Sequence, residues 1–112
     1  MPQNLDKDGL RSKINSYELF FIDIWGVIHN GLQIFEDSIE VLENLKKNNK
    51  EFVLLTNAPR PNSTVIDFLK KMGLKKFYED VYTSGEASLK YLMENFLNAK
   101  FYHIGPPRDF DL

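Results

Sequence analysis

Cysteine is absent from this 112-residue sequence, which excludes disulfides and thiolate chemistry and leaves the redox compartment open. Histidine is scarce. His29 and His103 stand far apart with no cysteine near either, a poor basis for a zinc site. Neither sign of charge dominates. Fourteen Lys and Arg against sixteen Asp and Glu give a net charge of -2, so nothing argues for nucleic acid or an anionic membrane surface as partner. Long apolar runs are missing too. The longest, Leu19–Ile22 and Ile24–Ile28, are split by Asp23 and fall far short of the roughly 20 residues of a membrane helix. Met1 to Ser16 is polar and carries both signs, unlike the basic start and apolar centre of a signal peptide. A soluble, cytoplasmic protein is the default expectation.

What is present suits one folded domain. The length is near the commonest domain size, and 43% hydrophobic with 27% charged residues is the balance of a globular chain. Residues 1–16 lack apolar periodicity and read as a lead-in, leaving 17–112 as the structured part. Short unbroken apolar runs at Leu19–Ile24, Phe52–Leu55, Val81–Tyr82 and Phe101–Ile104 suit strands covered on both faces, as in a parallel sheet. Helical periodicity fills the intervals. One helix is expected from Asp37 to Asn48, with Asp37 and Glu40 spaced as a capping box and Ile39, Leu42 and Leu45 facing inward. A second starts near Ser63 and stops at Gly73; a third follows Ser84, with Leu89, Leu92, Met93 and Phe96 on its apolar face. The β-α-β-α-β-α-β order predicts a doubly wound, Rossmann-like α/β fold of three layers with a parallel sheet.

In such a sheet, ligands bind at the carboxyl ends of the strands. Asp23 ends the first strand between apolar neighbours, where a carboxylate is costly unless paired or metal-bound. There it can serve as nucleophile or as a hard oxygen ligand for Mg²⁺; capping a turn is the plainer alternative. Thr56 and Asn57 end the second strand and offer a hydroxyl and amides to phosphate oxygens, or simply satisfy a loop. Together the two strand ends favour a phosphate site.

The run Leu-Phe-Phe-Ile-Asp23-Ile-Trp25-Gly26-Val27-Ile-His-Asn-Gly31, followed by Phe-Val-Leu-Leu-Thr56-Asn57-Ala-Pro, resembles motifs I and II of the haloacid dehalogenase superfamily, in its subclass IIA or NagD-like branch. Val-Tyr-Thr-Ser-Gly-Glu-Ala at 81–87 resembles that branch's next strand–helix junction. The resemblance implies a Mg²⁺-dependent hydrolase acting on a small phosphorylated metabolite. Asp23 would attack phosphorus, form an aspartyl-phosphate and ligate Mg²⁺; Trp25 would give the metal its backbone carbonyl; Thr56 and Asn57 would hold the phosphoryl group. Gly26 would permit the turn beside the metal.

Two departures from that pattern matter. Trp25 stands where the phosphatases carry a second aspartate as acid/base, and indole can neither protonate a leaving oxygen nor activate water. Losing such a group typically costs about 10² to 10⁴ in rate. The indole either packs in the core or faces substrate. The family also supplies a motif-III lysine and motif-IV acidic residues later, beyond a cap domain, whereas this sequence stops at Leu112. The expectation is a truncated core of low activity, with weak hold on a metal that generally draws on more oxygens.

Other residues carry milder expectations. His29 reads as a polar loop residue rather than a substrate reader, and His103 as a packed residue within a strand. Asn62-Ser63-Thr64 matches a glycosylation sequon but more readily starts a helix. Arg60 either approaches an anionic substrate or faces solvent. Glu86 suits the dipole of its helix. The leading functional reading is therefore a phosphatase using Asp23. A catalytically silent binding or interaction protein is the runner-up, and cleavage of a C–halogen or C–P bond the third.

Overall fold

The computed structural model describes residues 4–109; Met1–Gln3 of the expected lead-in and Phe110–Leu112 of the expected core segment lie outside the described residues. Three strands, β1 (Leu19–Asp23), β2 (Glu51–Thr56) and β3 (Val81–Thr83), pair in parallel in the order β1-β2-β3. Their connections are the helices α1 (Glu36–Lys47) and α2 (Asn62–Lys71), and α3 (Ser84–Asn95) follows β3 directly. This is the expected α/β class with a parallel sheet.

Strand register explains where the core sits. Phe20 and Ile22 lie opposite Phe52 and Leu54, and Leu54 lies opposite Val81, so these side chains share one face. Leu42 and Leu45 of α1 and Leu69 of α2 close over that face, with Ile24, Ile28 and Leu74 completing the cluster. Leu54 and Leu69 are fully buried. The opposite face carries Leu19, Phe21, Leu55 and Tyr82, all exposed among the described residues. Leu10 and Ile14, in short 3₁₀ turns of the lead-in, pack against the core cluster.

Helix ends follow local chemistry, with one correction. The Asp37–Glu40 capping box does not form: α1 starts one residue earlier, at Glu36, and its N-cap is Phe35 with no side-chain bond. Asp37 lies in the first turn instead, where its charge suits the helix dipole. Both α1 and α2 stop in the same way. The amides of Asn49 and Lys50 reach back to the carbonyls of Lys46 and Leu45, as those of Gly73 and Leu74 reach Lys70 and Leu69. Asn49 and Gly73 take the positive φ that this stop requires.

The fourth strand is absent. Phe101–Ile104 is irregular, and Phe101, Tyr102 and Ile104 are 60%, 91% and 91% exposed. A parallel strand is made by a neighbour's ladder and by burial on both faces, and this segment obtains neither. His103 is correspondingly exposed rather than packed in a strand. Helix α3 forms where its periodicity requires, but of its apolar stripe only Leu89 and Leu92 are half-buried, while Met93 and the following Phe96 remain exposed.

Candidate active site at the carboxyl edge of the sheet

Asp23 is the last residue of β1, and it is exposed rather than trapped among its apolar neighbours. One carboxylate oxygen, Oδ1, accepts the Ile24 amide at 2.8 Å. The side chain is thereby oriented by its own backbone, and Oδ2 accepts no hydrogen bond among the described residues.

The loop after Asp23 is tightly fastened. Ile28 N–H donates to the Ile24 carbonyl at 2.8 Å and Gly26 N–H to the His29 carbonyl at 2.7 Å. Ser38 of α1 donates its hydroxyl to the Val27 carbonyl at 2.5 Å. Ile24 and Ile28 anchor the loop in the core. Gly26 has φ +76 with open space around it, so its backbone conformation, not crowding, calls for glycine. The Trp25 carbonyl accepts none of the loop's backbone hydrogen bonds.

Trp25 is not a core residue. Its side chain is 64% exposed, and its ring meets the His29 ring edge-on at 5.2 Å between centroids. His29 departs from the polar-loop expectation in the other direction. It is 3% exposed, its Nδ1 accepts the Gly31 amide at 2.9 Å, and its ring also meets Phe68 of α2. Burial holds its pKa below the ordinary value, and the accepting Nδ1 requires the neutral form.

Thr56 ends β2, one position beyond the Leu55 that pairs with Asp23. Its Oγ1 accepts the Ala58 amide at 3.2 Å, and Asn57 beside it is exposed. Neighbouring strands lie about 4.8 Å apart, so Asp23 and Thr56 occupy adjacent positions on one sheet edge. By register, Asp23 belongs with Leu55 to the open face and Thr56 with Thr83 to the core face. A group bound between them straddles the end of the sheet.

The loop holding Thr56 and Asn57 rests on the first turn of α3, through junction residues to which the sequence assigned no role in supporting that loop. Ser84 donates its hydroxyl to the carbonyls of Asn57 and Ala58, at 3.0 and 3.1 Å, and the Gly85 amide also donates to Ala58. The Thr83 hydroxyl donates to the Arg60 carbonyl and accepts the Glu86 amide at 2.9 Å, capping α3. Thr83 and Glu86 have the spacing of a capping box, but its second arm is exchanged with α2. Glu86 accepts the Asn62 amide, while Asn62 Oδ1 accepts the Thr83 amide, each at 2.9 Å. Thr83-x-x-Glu86 was the available signal. Asn62 does begin a helix, as expected.

Arg60 reaches neither phosphate-handling candidate. Its Nε lies 3.4 Å from the Asp109 carboxylate, and its guanidinium also donates to the Arg108 carbonyl. A surface groove lined by Asp8, Arg11, Asp37 and Glu40 lies beside α1, on elements that do not carry Asp23. No cluster of three His, Asp or Glu side chains able to hold a metal occurs among the described residues. The two donors that the motif resemblance implies for a cation, the Asp23 carboxylate and the Trp25 carbonyl, would be a partial set for a hard ion that takes six or more oxygens. No helix among the described residues is long and apolar enough to cross a membrane.

Known proteins share this fold. Residues 20–111 match the family model of the haloacid dehalogenase-like hydrolases. The 5'-nucleotidase YutF of Bacillus subtilis is 26% identical over 93 residues, which cover 82% of this chain and 36% of that protein. A haloacid dehalogenase-like hydrolase structure from Brucella suis superposes with a TM-score of 0.76 at 29% identity, covering 99% of this chain and 40% of its own. The 4-nitrophenylphosphatase of Thermotoga maritima gives a TM-score of 0.63 at 31% identity, covering 74% and 32%. The chain thus spans well under half the length of these relatives. A nagD protein is also among its structural neighbours, in keeping with the motif resemblance. With the motif-bearing strand ends in place and nearly the whole chain matched, this protein belongs to the haloacid dehalogenase-like hydrolase family.

Proposed function

We propose that this chain carries the nucleophile half of a Mg²⁺-dependent phosphatase acting on a small phosphorylated metabolite. The carrying observation is Asp23: an exposed acidic residue at the end of β1, its carboxylate oriented through Oδ1 by the Ile24 amide. The names of the relatives support the class, since one is a 5'-nucleotidase and another a 4-nitrophenylphosphatase.

In this reading Asp23 Oδ2 bonds to phosphorus as the ester P–O bond breaks, and the electron pair leaves with the ester oxygen. Water then attacks the aspartyl-phosphate at phosphorus, releasing phosphate and restoring the carboxylate. Thr56 and the exposed Asn57 grip the phosphoryl oxygens across the edge. Asp23 and the Trp25 carbonyl would hold Mg²⁺, whose role when bound is to offset phosphoryl charge. The remaining oxygens come from phosphate, water and acidic residues of the kind the resemblance implies.

Trp25 favours a second reading, a binding protein without turnover, because its indole occupies the acid/base position. Phosphate release by the full gene product separates the two. Turnover that disappears in Asp23→Asn supports the phosphatase. Binding of phosphate esters without turnover, in a protein whose activity rises from background in Trp25→Asp, supports the binding protein; a Trp25→Asp variant that stays inert counts against the acid/base explanation.

A further inference from the structure

We propose that Trp25 is a stacking surface that selects phosphate monoesters of aromatic alcohols, an inference that rests on Asp23 and Thr56 being the phosphate-handling pair. Its first support is the way the indole is held. A β-carbon on Gly31 would lie 2.6 Å from Cη2 of Trp25, and 3.2 and 3.3 Å from the adjacent ring carbons, so the tip of the six-membered ring lies close over the bare backbone of Gly31, whose φ of +89 itself favours glycine. The other restraint is the buried His29 ring, edge-on to the indole. Yet 64% of Trp25 stays exposed, two residues beyond Asp23 at the same sheet edge. An aromatic ring fixed before its ligand arrives loses little freedom on binding and presents a flat apolar area to another ring.

The second support is chemical and independent of packing. The indole N–H can donate a hydrogen bond but is far too weak an acid to protonate a departing oxygen. An aryloxide, whose conjugate acid has a pKa of about 10 as in tyrosine, needs that proton far less than an alkoxide, whose conjugate acid is a much weaker acid. When Asp23 Oδ2 bonds to phosphorus, the P–O(aryl) bond breaks and its electron pair leaves on the aryl oxygen, which solvent later protonates. Water hydrolyses the aspartyl-phosphate, releasing phosphate and a proton to solution. The residue that stacks on an aromatic leaving group is thus the one that makes an aromatic leaving group necessary.

The test compares phenyl phosphate with cyclohexyl phosphate, equal in ring size and charge, by calorimetry on the full chain with Mg²⁺ present; inorganic phosphate is the reference. We expect phenyl phosphate to bind about 3- to 10-fold tighter than cyclohexyl phosphate. It should also change the emission of Trp25, the only tryptophan of these 112 residues, as a signal absent in Trp25→Leu. Trp25→Phe should keep the preference and Trp25→Leu should abolish it, with circular dichroism verifying the fold of each. Inorganic phosphate binding without any phenyl preference would overturn the stacking surface and leave the phosphate site standing. Failure of all three probes to bind would overturn both. A preference that persists in Trp25→Leu would also overturn the assignment, by placing the selecting surface elsewhere.

Discussion

Gly85 and Arg60 are in such close contact that a β-carbon on Gly85 would lie 2.3 Å from the Arg60 nitrogen and 2.4 Å from its carbonyl oxygen. The first turn of α3 therefore carries the loop that holds Thr56 and Asn57, backbone against backbone. Gly85→Ala must push that loop away or strain α3. Because the obstructing atoms are backbone, relief is costly, and we expect a loss of about 1–3 kcal/mol in urea unfolding. It should also weaken binding of inorganic phosphate. Unchanged stability and unchanged phosphate affinity would show that the loop does not depend on this contact.

Thr83 offers a second view of the same junction. Its hydroxyl caps α3 and holds the Arg60 carbonyl, and the residue is fully buried. Thr83→Val keeps the shape but loses both bonds, leaving a partly buried carbonyl and a helix amide without this partner. An expected loss of about 1–3 kcal/mol follows from such unmade bonds. Thr83→Ser, which keeps the hydroxyl, should recover most of it; equal losses in both variants would assign the effect to the methyl group instead.

His29 makes stability depend on pH. Its folded pKa lies below the ordinary value of 6.5, so the unfolded chain takes up a proton that the folded chain resists. Its contribution is complete above pH 6.5 and is lost as pH falls through the interval below that value. The Tm should fall from pH 7 to pH 5, and the fall should be shallower in His29→Asn, whose side-chain oxygen can accept from Gly31 without titrating. Parallel pH profiles for the two proteins would remove His29 as the cause.

Trp25→Asp bears on chemistry rather than folding, since the indole is mostly exposed. Supplying a carboxyl group at this position should raise turnover of an alkyl phosphate in the full gene product by up to about 10²-fold. The same variant should lose the preference for phenyl phosphate. Turnover that stays flat with alkyl and aryl esters alike would mean that position 25 does not reach the leaving oxygen.

Much of this arrangement is legible in the sequence because it depends on short-range pattern. The apolar runs at 19–24 and 52–55 become β1 and β2, and the strand-end residues Asp23, Thr56 and Asn57 come out on one edge, as the β-α-β reading requires. Interactions between distant segments were not legible. His29 is followed in sequence by Asn30 and Gly31, as in a polar loop, yet Phe68, from a distant helix, helps to bury it. Phe101–Ile104 has the composition of a strand but no ladder to join, and a strand exists only through its partners. The exchange between Asn62 and Glu86 was hidden for the same reason: each residue looks like a cap for its own helix, and each serves the other's junction.

The central claim is that Asp23 becomes phosphorylated. The most direct measurement is acid-quenched mass spectrometry of the full gene product after brief exposure to phenyl phosphate and Mg²⁺, with peptide mapping of any adduct. The account predicts one phosphoryl group on the peptide containing Asp23, absent in Asp23→Asn and discharged by hydroxylamine. Phosphate release at an undiminished rate in Asp23→Asn, or an adduct mapped to another residue, would contradict it.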